Sequence, residues 1–293
     1  MKKPPQLIKS LILILFFIGA SVWGLYFSAP PKFLTVSFLD VGSGDAILIR
    51  TPDNFKIMID GGPSNKVLNH LGNNLGPIDR SIDLLILTHP HQDHVLGALN
   101  ILERYDVKKV FGTGVIHTGD YYINFLEKVK TKKIDFTPAE QGEVLRYGDL
   151  EIEVYYPFES LAGKKVASLN NSSIVFKARY GKNSFLFMGD AESEVGQKLL
   201  KSGLDLRADV LKVAHQGSKN GAQNVKGFLD KVKPQYAIIP VGENQYGHPH
   251  KETLDILDQK GIKVFRTDRA GSINIQSDGD KAWIKNVNKL RNI

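Results

Sequence analysis

Leu84-Leu85-Ile86-Leu87-Thr88-His89-Pro90-His91-Gln92-Asp93-His94 is a run of four large apolar residues followed by three histidines and an aspartate within six positions. With only eight histidines in 293 residues, composition does not account for so dense a group. The apolar run from Leu84 to Leu87 is too short for a helix and suits a strand buried on both faces. The chain must turn after it, and Pro90 fixes that turn, so His89 and His91 can point to one side. Asp93 and His94 then stand at the mouth of a helix. They can address a second position about 3.5–4 Å from the first, the separation of a two-metal site. Imidazole with carboxylate suits zinc, and manganese or iron where oxygen ligands are more numerous. A polar helix start capped by Asp93 would explain one residue of the four.

Outward from this segment, short β-branched or aromatic strands alternate with amphipathic helices, and no linker, repeat or low-complexity stretch interrupts them. Strands are expected at Thr35 to Asp40, Ala46 to Arg50, Lys56 to Asp60, Leu84 to Leu87, Lys109 to Phe111, Glu151 to Tyr156, Ser173 to Arg179 and Ser184 to Met188. The last two are joined by Tyr180-Gly181-Lys182-Asn183, a hairpin signal. Later strands are expected at Val210 to Ala214, Tyr236 to Pro240, Lys263 to Thr267, Ser272 to Ile275 and Ala282 to Lys285. Helices fit Asn65 to Leu75, His94 to Tyr105, Asp120 to Lys130, Ser193 to Lys201, Asn224 to Val232 and Lys251 to Lys260. Each amphipathic helix must bury one stripe against a sheet, so the expected α/β architecture is two sheets face to face with helices outside. One domain is expected over residues 32–293, after an N-terminal segment and linker over residues 1–31.

Other expected strands end in chemistry as well. Phe185 to Met188 stops at Gly189-Asp190, and a carboxylate at the end of a buried strand costs several kcal/mol unless paired or bound to a metal. Asp190 is therefore the expected bridging ligand, with a helix N-cap as its other reading. Val210 to Ala214 ends at His215, whose imidazole can donate a proton to a leaving oxygen or stabilise charge on phosphate. His248 in Gly247-His248-Pro249 is the candidate closing ligand of the second metal, with His250 next in rank. Asp40 and Asp45 lie in a Gly-rich turn whose N–H groups could face an anion, or which simply connects two strands. His70 and His117 are read as ordinary surface or packing histidines. Lys212, Lys219, Lys226, Lys231 and Lys233 gather near His215; they could track a phosphate backbone, though solvated surface explains them more simply.

Composition bounds the rest. Hydrophobic residues make up 42% and charged residues 24%, as in a globular protein, and the absence of cysteine excludes disulfides and thiolate metal sites. The net charge is +7; setting aside Lys2, Lys3 and Lys9 leaves +4, too mild to coat nucleic acid. Those lysines precede an apolar run of 17 residues, Leu11 to Phe27, which Pro30 and Pro31 stop. A basic flank before an apolar span is an export or anchoring signal, and this one sits at the short edge of the roughly 17–25 residues that cross a bilayer. The expectation is an uncleaved single-pass anchor with the catalytic mass outside the cytoplasm, the alternative being a cleaved signal and a secreted protein.

His89-Pro90-His91-Gln92-Asp93-His94 resembles the His-x-His-x-Asp-His signature of the metallo-β-lactamase superfamily. Phe38-Leu39-Asp40-Val41-Gly42-Ser43-Gly44-Asp45-Ala46, Ile59-Asp60-Gly61-Gly62, Asn170-Asn171-Ser172-Ser173, Phe187-Met188-Gly189-Asp190-Ala191, Leu211-Lys212-Val213-Ala214-His215-Gln216-Gly217-Ser218 and Tyr246-Gly247-His248-Pro249-His250 are similar to successive motifs of the ComEC-type hydrolase domain. That domain is the soluble module of a bacterial competence DNA-uptake protein. The resemblance runs from about Phe33 to about Asn274, without the family's transmembrane channel. It implies a four-layer αββα sandwich with a metal site at one end, and hydrolysis of DNA phosphodiesters. Two divalent ions, zinc or manganese, are implied. His89, His91 and Asp190, with Asn170, would hold the first; Asp93, His94, Asp190 and His248 would hold the second. Asp93 and His215 are the expected catalytic residues. Asp60, with Asp40, is expected to orient the ligands through hydrogen bonds. Asn170 and Asn171 stand where the superfamily normally supplies a third histidine, and the ComEC-type domain has asparagine there too. Ser43 replaces its usual glutamine and Gln216 its second histidine. Partners implied are DNA, the membrane and other components of a DNA-uptake complex. The rival expectations are a metallo-hydrolase of a β-lactam, thioester or cell-wall phosphoester, and a non-catalytic module of such a complex.

Overall fold

The computed structural model describes residues 6–27 and 29–285; the basic residues Lys2 and Lys3 lie outside them. Helix α1 spans Gln6–Phe27. The first half of the body runs β1 Leu34–Phe38, β2 Ile47–Arg50, β3 Lys56–Ile59, α2 Lys66–Leu75, β4 Ser81–Ile82, β5 Leu84–Leu87, α3 Gln92–Arg104, β6 Asp106–Val107, β7 Lys109–Gly112, α4 Asp120–Thr131 and β8 Asp135–Pro138. The second half runs β9 Val144–Tyr147, β10 Leu150–Tyr156, β11 Val175–Tyr180, β12 Asn183–Phe187, α5 Ser193–Lys201, β13 Val210–Lys212, α6 Phe228–Val232, β14 Tyr236–Ile239, α7 Lys251–Gln259, β15 Lys263–Arg266, α8 Thr267–Ala270, β16 Ile273–Ser277 and β17 Ala282–Lys285.

Two large sheets result. One has the order β17-β16-β1-β2-β3-β5-β7-β8, the other β15-β14-β13-β12-β11-β10-β9, and β4 pairs with β6 separately. Period-two alternation decides which side of each strand meets the other sheet. Leu34, Val36, Phe38, Ile47, Ile49, Ile57, Ile59, Leu84 and Ile86 share one buried core with Ile152, Val154, Phe176, Phe185, Phe187 and Ile238 of the second sheet. Their neighbours Leu48, Met58, Leu85 and Leu87 turn outward and pack with Leu71, Val95, Ile101 and Phe125 of α2, α3 and α4. Leu186, Leu211, Ala237 and Ile239 do the same against Val195, Leu199, Phe228 and Leu257 of α5, α6 and α7. The layering is therefore helix, sheet, sheet, helix, as expected.

The strands absent from the sequence reading are β4, β6, β8 and β9. The first and second have two residues each, and β8 and β9 lie at sheet edges with half-exposed or exposed residues. An edge strand with one wet side gives no strong apolar alternation. The helix expected from Asn224 begins only at Phe228, because the short turn over Ala222–Asn224 ends at the extended Val225 and Gly227, φ 84°, is the cap from which the helix starts. The hairpin is as read, with Tyr180 opposite Asn183.

In α1, the side chains from Leu11 to Ile18 are between 54% and 68% exposed. Among the described residues no helix is long and apolar enough to cross a membrane. The side chains of residues 20 and 22–27 lie outside the description.

Candidate metal centre

β3 and β5 are parallel neighbours, with Ile59 opposite Ile86, so Asp60 and Thr88 emerge at the same sheet end. Asp60 is in the left-handed region, φ 55°, and its N–H donates to Ile86 O at 2.8 Å. That bend turns its carboxylate onto the segment after β5. Thr88 N donates to Asp60 Oδ1 at 2.8 Å and Thr88 Oγ1 to Asp60 Oδ2 at 2.7 Å. The start of α3 is pressed onto the exit of β3: a Cβ on Gly97 would stand 1.8 Å from Gly61 O, and one on Gly61 1.9 Å from Ala98 N. Only glycine at both positions admits this approach, which places His94 Nδ1 at 2.8 Å from Asp60 Oδ2.

These contacts decide which ring nitrogens are free. The Thr88 hydroxyl proton is committed to Asp60, so across their 3.1 Å contact His89 Nδ1–H donates to Thr88 Oγ1. His94 Nδ1–H donates to Asp60. Both rings therefore present Nε2 to the same space. His89 Nε2 is 3.0 Å from His91 Nδ1 and 3.9 Å from Asp190 Oδ2, and His94 Nε2 is 3.4 Å from Asp190 Oδ2. His89 and His94 are fully buried and Asp190 nearly so. His94 Nε2 and Asp190 Oδ1 have no hydrogen-bond partner. A buried ionised carboxylate whose Oδ2 converges with His89 Nε2 and with an unpartnered imidazole nitrogen, His94 Nε2, fits a divalent cation. His89, His94 and Asp190 bring their donor atoms within 4.8 Å of one another.

The electrostatics agree. Burial lowers the His94 pKa, but the carboxylates of Asp190, Asp60 and Asp93 outweigh it and hold the ring well above its ordinary value. Burial raises Asp190, yet His94, Lys212 and His89 bring it well below the usual carboxylate range. His89 is driven well below by burial, with His94 beside it. The carboxylates thus demand a positive charge here, and a bound cation would supply what a proton on His94 otherwise must.

The remaining expected residues surround this group. Asp93 is a third exposed; its Oδ1 is 3.9 Å from His94 Nε2 and its Oδ2 accepts from Gln216 Nε2 at 3.2 Å. Gln216 is fixed in turn by Ser43 Oγ, which donates to Gln216 Oε1 at 2.9 Å. The two departures from the family pattern are therefore bonded to each other and end on Asp93. His215, after β13, has Nε2 at 3.9 Å from Asp190 Oδ2 and Nδ1 at 3.6 Å from Glu192 Oε1. His215 and Gln216 are consecutive left-handed residues, φ 48° and 51°, a conformation costing about 1–3 kcal/mol each that persists where the surroundings enforce it. Asn170 Nδ2 donates to Glu192 Oε1 at 3.1 Å, leaving its Oδ1 buried and unpartnered; Asn171 instead engages Glu192 N and Glu194 near the start of α5. His248 packs on His215, ring centroids 5.2 Å apart, and burial, with His215 and His250 nearby, lowers its pKa to about 4. His91, Asp93 and His248 lie outside the tightest donor group, and Asn170 sits beside His215, its Nδ2 3.4 Å from His215 Nδ1.

Two expectations need correction. Asp40 is partly exposed, bonded to Lys66 at 3.3 Å, and its carbonyl meets His70 Nε2 at 2.9 Å; Asp45 is the residue of that turn that is buried beneath the centre. Lys212 is no surface lysine. Its side chain is 1% exposed, ion-paired with Asp45, with Nζ at 2.7 Å from Gly189 O and 3.6 Å from Asp190 Oδ1. Position gave the signal: Lys212 lies inside a strand, where alternation points it away from Leu211 and into the protein.

Asp60, His89, Asp190, His215 and His248 follow the ends of β3, β5, β12, β13 and β14, so both sheets feed one end of the sandwich. A cavity of about 630 Å3 opens there, lined among others by His91, Asp93, Asp190, His215, Tyr246 and His248. That volume takes a nucleotide-sized ligand.

Comparison with known proteins agrees with the fold. The family model described as the metallo-beta-lactamase superfamily matches residues 39–240. ComE operon protein 3 of Bacillus subtilis is 30% identical over 258 residues, which is 81% of this chain but 32% of that protein; the chain thus spans about a third of its length. Exodeoxyribonuclease YycJ of Bacillus anthracis is 22% identical over 258 residues, 79% of this chain and 92% of that one. Among solved structures, the metallo-beta-lactamase fold protein YhfI from Bacillus subtilis superposes with TM-score 0.54 at 13% identity, covering 84% of this chain and all of the other.

Proposed function

The chain belongs to the metallo-beta-lactamase superfamily, and from that premise we propose that this metallo-hydrolase is an extracytoplasmic phosphodiesterase acting on DNA. The observation that carries the reading is the buried convergence of His89 Nε2, an unpartnered His94 Nε2 and Asp190 Oδ2, with Asp190 lining an open cavity. The exodeoxyribonuclease named above supports the DNA phosphodiester substrate.

In this reading His89, His91 and Asp190, with Asn170, hold one divalent ion, zinc or manganese, and Asp93, His94, Asp190 and His248 hold a second. Such ions, when bound, lower the pKa of water toward neutrality and neutralise phosphate oxygens. Asp60 keeps both imidazoles in the tautomer that presents Nε2. Asp93, anchored by Gln216, faces the open cavity and orients the attacking water. His215 Nε2, on the cavity wall, gives its proton to the leaving oxygen, and Glu192 beside Nδ1 keeps that ring in position. We further propose that α1 tethers the protein to the membrane. Eight consecutive large apolar side chains more than half exposed, following Lys9, suit lipid rather than water.

The test is a substrate panel on the purified protein loaded with zinc or manganese: single- and double-stranded DNA, bis-p-nitrophenyl phosphate and a chromogenic cephalosporin, with metal content measured alongside. Cleavage of the phosphodiesters is expected. Cleavage of the lactam alone would refute the reading, and a chain that binds no metal would make it a non-catalytic module.

A further inference from the structure

The centre's reading as a metal site leaves one buried charge pair without a task. Lys212 on β13 and Asp45 after the β1 turn are each 1% exposed and joined as an ion pair. Burying two charges is expensive, and a buried pair is weak ground for stability when apolar residues of the same volume would serve. The position of this pair is specific. Lys212 Nζ donates to Gly189 O at 2.7 Å, the carbonyl of the peptide that leads into Asp190, and stands 3.6 Å from Asp190 Oδ1. From the other side Asp190 N donates to Ser173 Oγ at 3.0 Å. Asp190 Oδ1 has no other partner, whereas Oδ2 faces His94, His89 and His215 at 3.4, 3.9 and 3.9 Å. Asp45, Asp60 and His94 also form a second buried set of donor atoms, and the Lys212 ammonium, paired with Asp45, is the cation beside it.

We propose that Lys212 is a positioning residue of the metal centre: anchored by Asp45, its ammonium holds the Gly189 carbonyl and the inner oxygen of Asp190, so that Oδ2 alone is turned to the imidazoles. This rests on the metal-centre reading of His89, His94 and Asp190. The lysine acts as a built-in cation that keeps the inner set of carboxylates from capturing a further divalent ion and from drawing Asp190 inward.

The experiment compares the wild-type chain with Lys212→Met/Asp45→Asn, which removes one charge of each sign together, and with Lys212→Arg, which keeps a cation against both carboxylates. Zinc affinity is read by competition with a chromophoric chelator, ligand geometry by the visible absorption of the cobalt-loaded protein, and folding by circular dichroism and thermal unfolding. The double variant is expected to fold and to bind zinc about 10–100-fold more weakly, the range for losing a group that orients a ligand, with a displaced cobalt band. Lys212→Arg is expected to fall between it and the wild type in both readouts. A folded double variant with wild-type affinity and cobalt spectrum would overturn the proposal, as would loss of folding in both variants, which would assign Lys212 to stability alone. A wild-type chain that binds neither ion would overturn the metal-centre reading itself, a result distinguishable from the other two.

Discussion

Asp60→Asn tests the tautomer argument with the least change of shape. The Asp60 carboxylate accepts from Thr88 N, Thr88 Oγ1 and His94 Nδ1 at 2.8, 2.7 and 2.8 Å, all fully buried. An asparagine keeps one acceptor, which Thr88 N retains, and presents an NH2 where Oδ2 stood. That group donates, so His94 must turn Nδ1 into an acceptor and carry its proton on Nε2, the atom aimed at Asp190. The same NH2 frees the Thr88 hydroxyl proton to point at His89 Nδ1, and His89 then also carries its proton on Nε2. Both lone pairs offered to a metal are lost without removing either histidine. Returning a ring to the useful tautomer against a mismatched hydrogen bond costs about 1–3 kcal/mol. Zinc affinity is therefore expected to fall about 10–100-fold, about 1.4–2.8 kcal/mol. Chelator competition measures this, with thermal unfolding run alongside. A folded Asp60→Asn protein that binds zinc as the wild type does would refute the assignment of the two tautomers.

Gln216→Ala removes the donor to Asp93 Oδ2 and should cost about 0.5–1.5 kcal/mol of its placement; a fall of about 2–10-fold in kcat/KM on bis-p-nitrophenyl phosphate, with thermal stability little changed, is expected, and unchanged kinetics would show that Asp93 needs no anchor. Far from the centre, Asp79 pairs with the buried Lys56 at 2.7 Å; burial acts to raise its pKa, but hydrogen bonds from Lys56 and Ser81 with the Lys56 charge bring it below 3.8. A carboxylate depressed in the folded state releases its proton more readily there than in the unfolded chain, so its contribution is present above about pH 4 and is lost as pH falls through the folded value. Asp79→Asn should flatten that part of the acid limb of stability measured by urea unfolding between pH 2 and 5, and an unaltered limb would contradict the pairing.

How much of this was legible in the sequence follows from what each residue needs. Leu84–Leu87 and Ser193–Lys201 have the bounds their pattern predicts, because a fully buried strand and a one-faced helix write their period into composition. The edge strands β8 and β9 carry no such period, since one side of each faces water. His89 and Asp190 could be read because each stands just past an apolar strand that would otherwise end in an unexplained polar group, and His94 because it closes a dense histidine cluster at the mouth of a helix. Lys212 and Asp45 could not be paired, for they lie 167 positions apart in the chain. A buried ion pair across two sheets leaves no local trace. The link from Ser43 through Gln216 to Asp93 is of the same kind: Asp93 reads as a ligand by itself, and nothing local ties it to Ser43 or Gln216.

Three carboxylates buried within one small region would repel one another, and the way each is satisfied decides where chemistry can occur. Asp60 is saturated by three donors from Thr88 and His94. Asp45 is neutralised by Lys212. Asp190 is the exception: its neighbours are the Lys212 ammonium on one oxygen and imidazole nitrogens on the other, and no neutral donor reaches Oδ1. A carboxylate left in that state stays ionised only where positive charge is assured, by a protonated His94 or by a cation. The first choice occupies the ring nitrogen that faces Asp190 Oδ2, and the second leaves it as a ligand. On the metal-centre reading proposed above, two acids are committed to structure and one, Asp190 on the wall of the open cavity, is left to take an ion. Exchanging the roles of Asp45 and Asp190 would bury that demand where no substrate reaches.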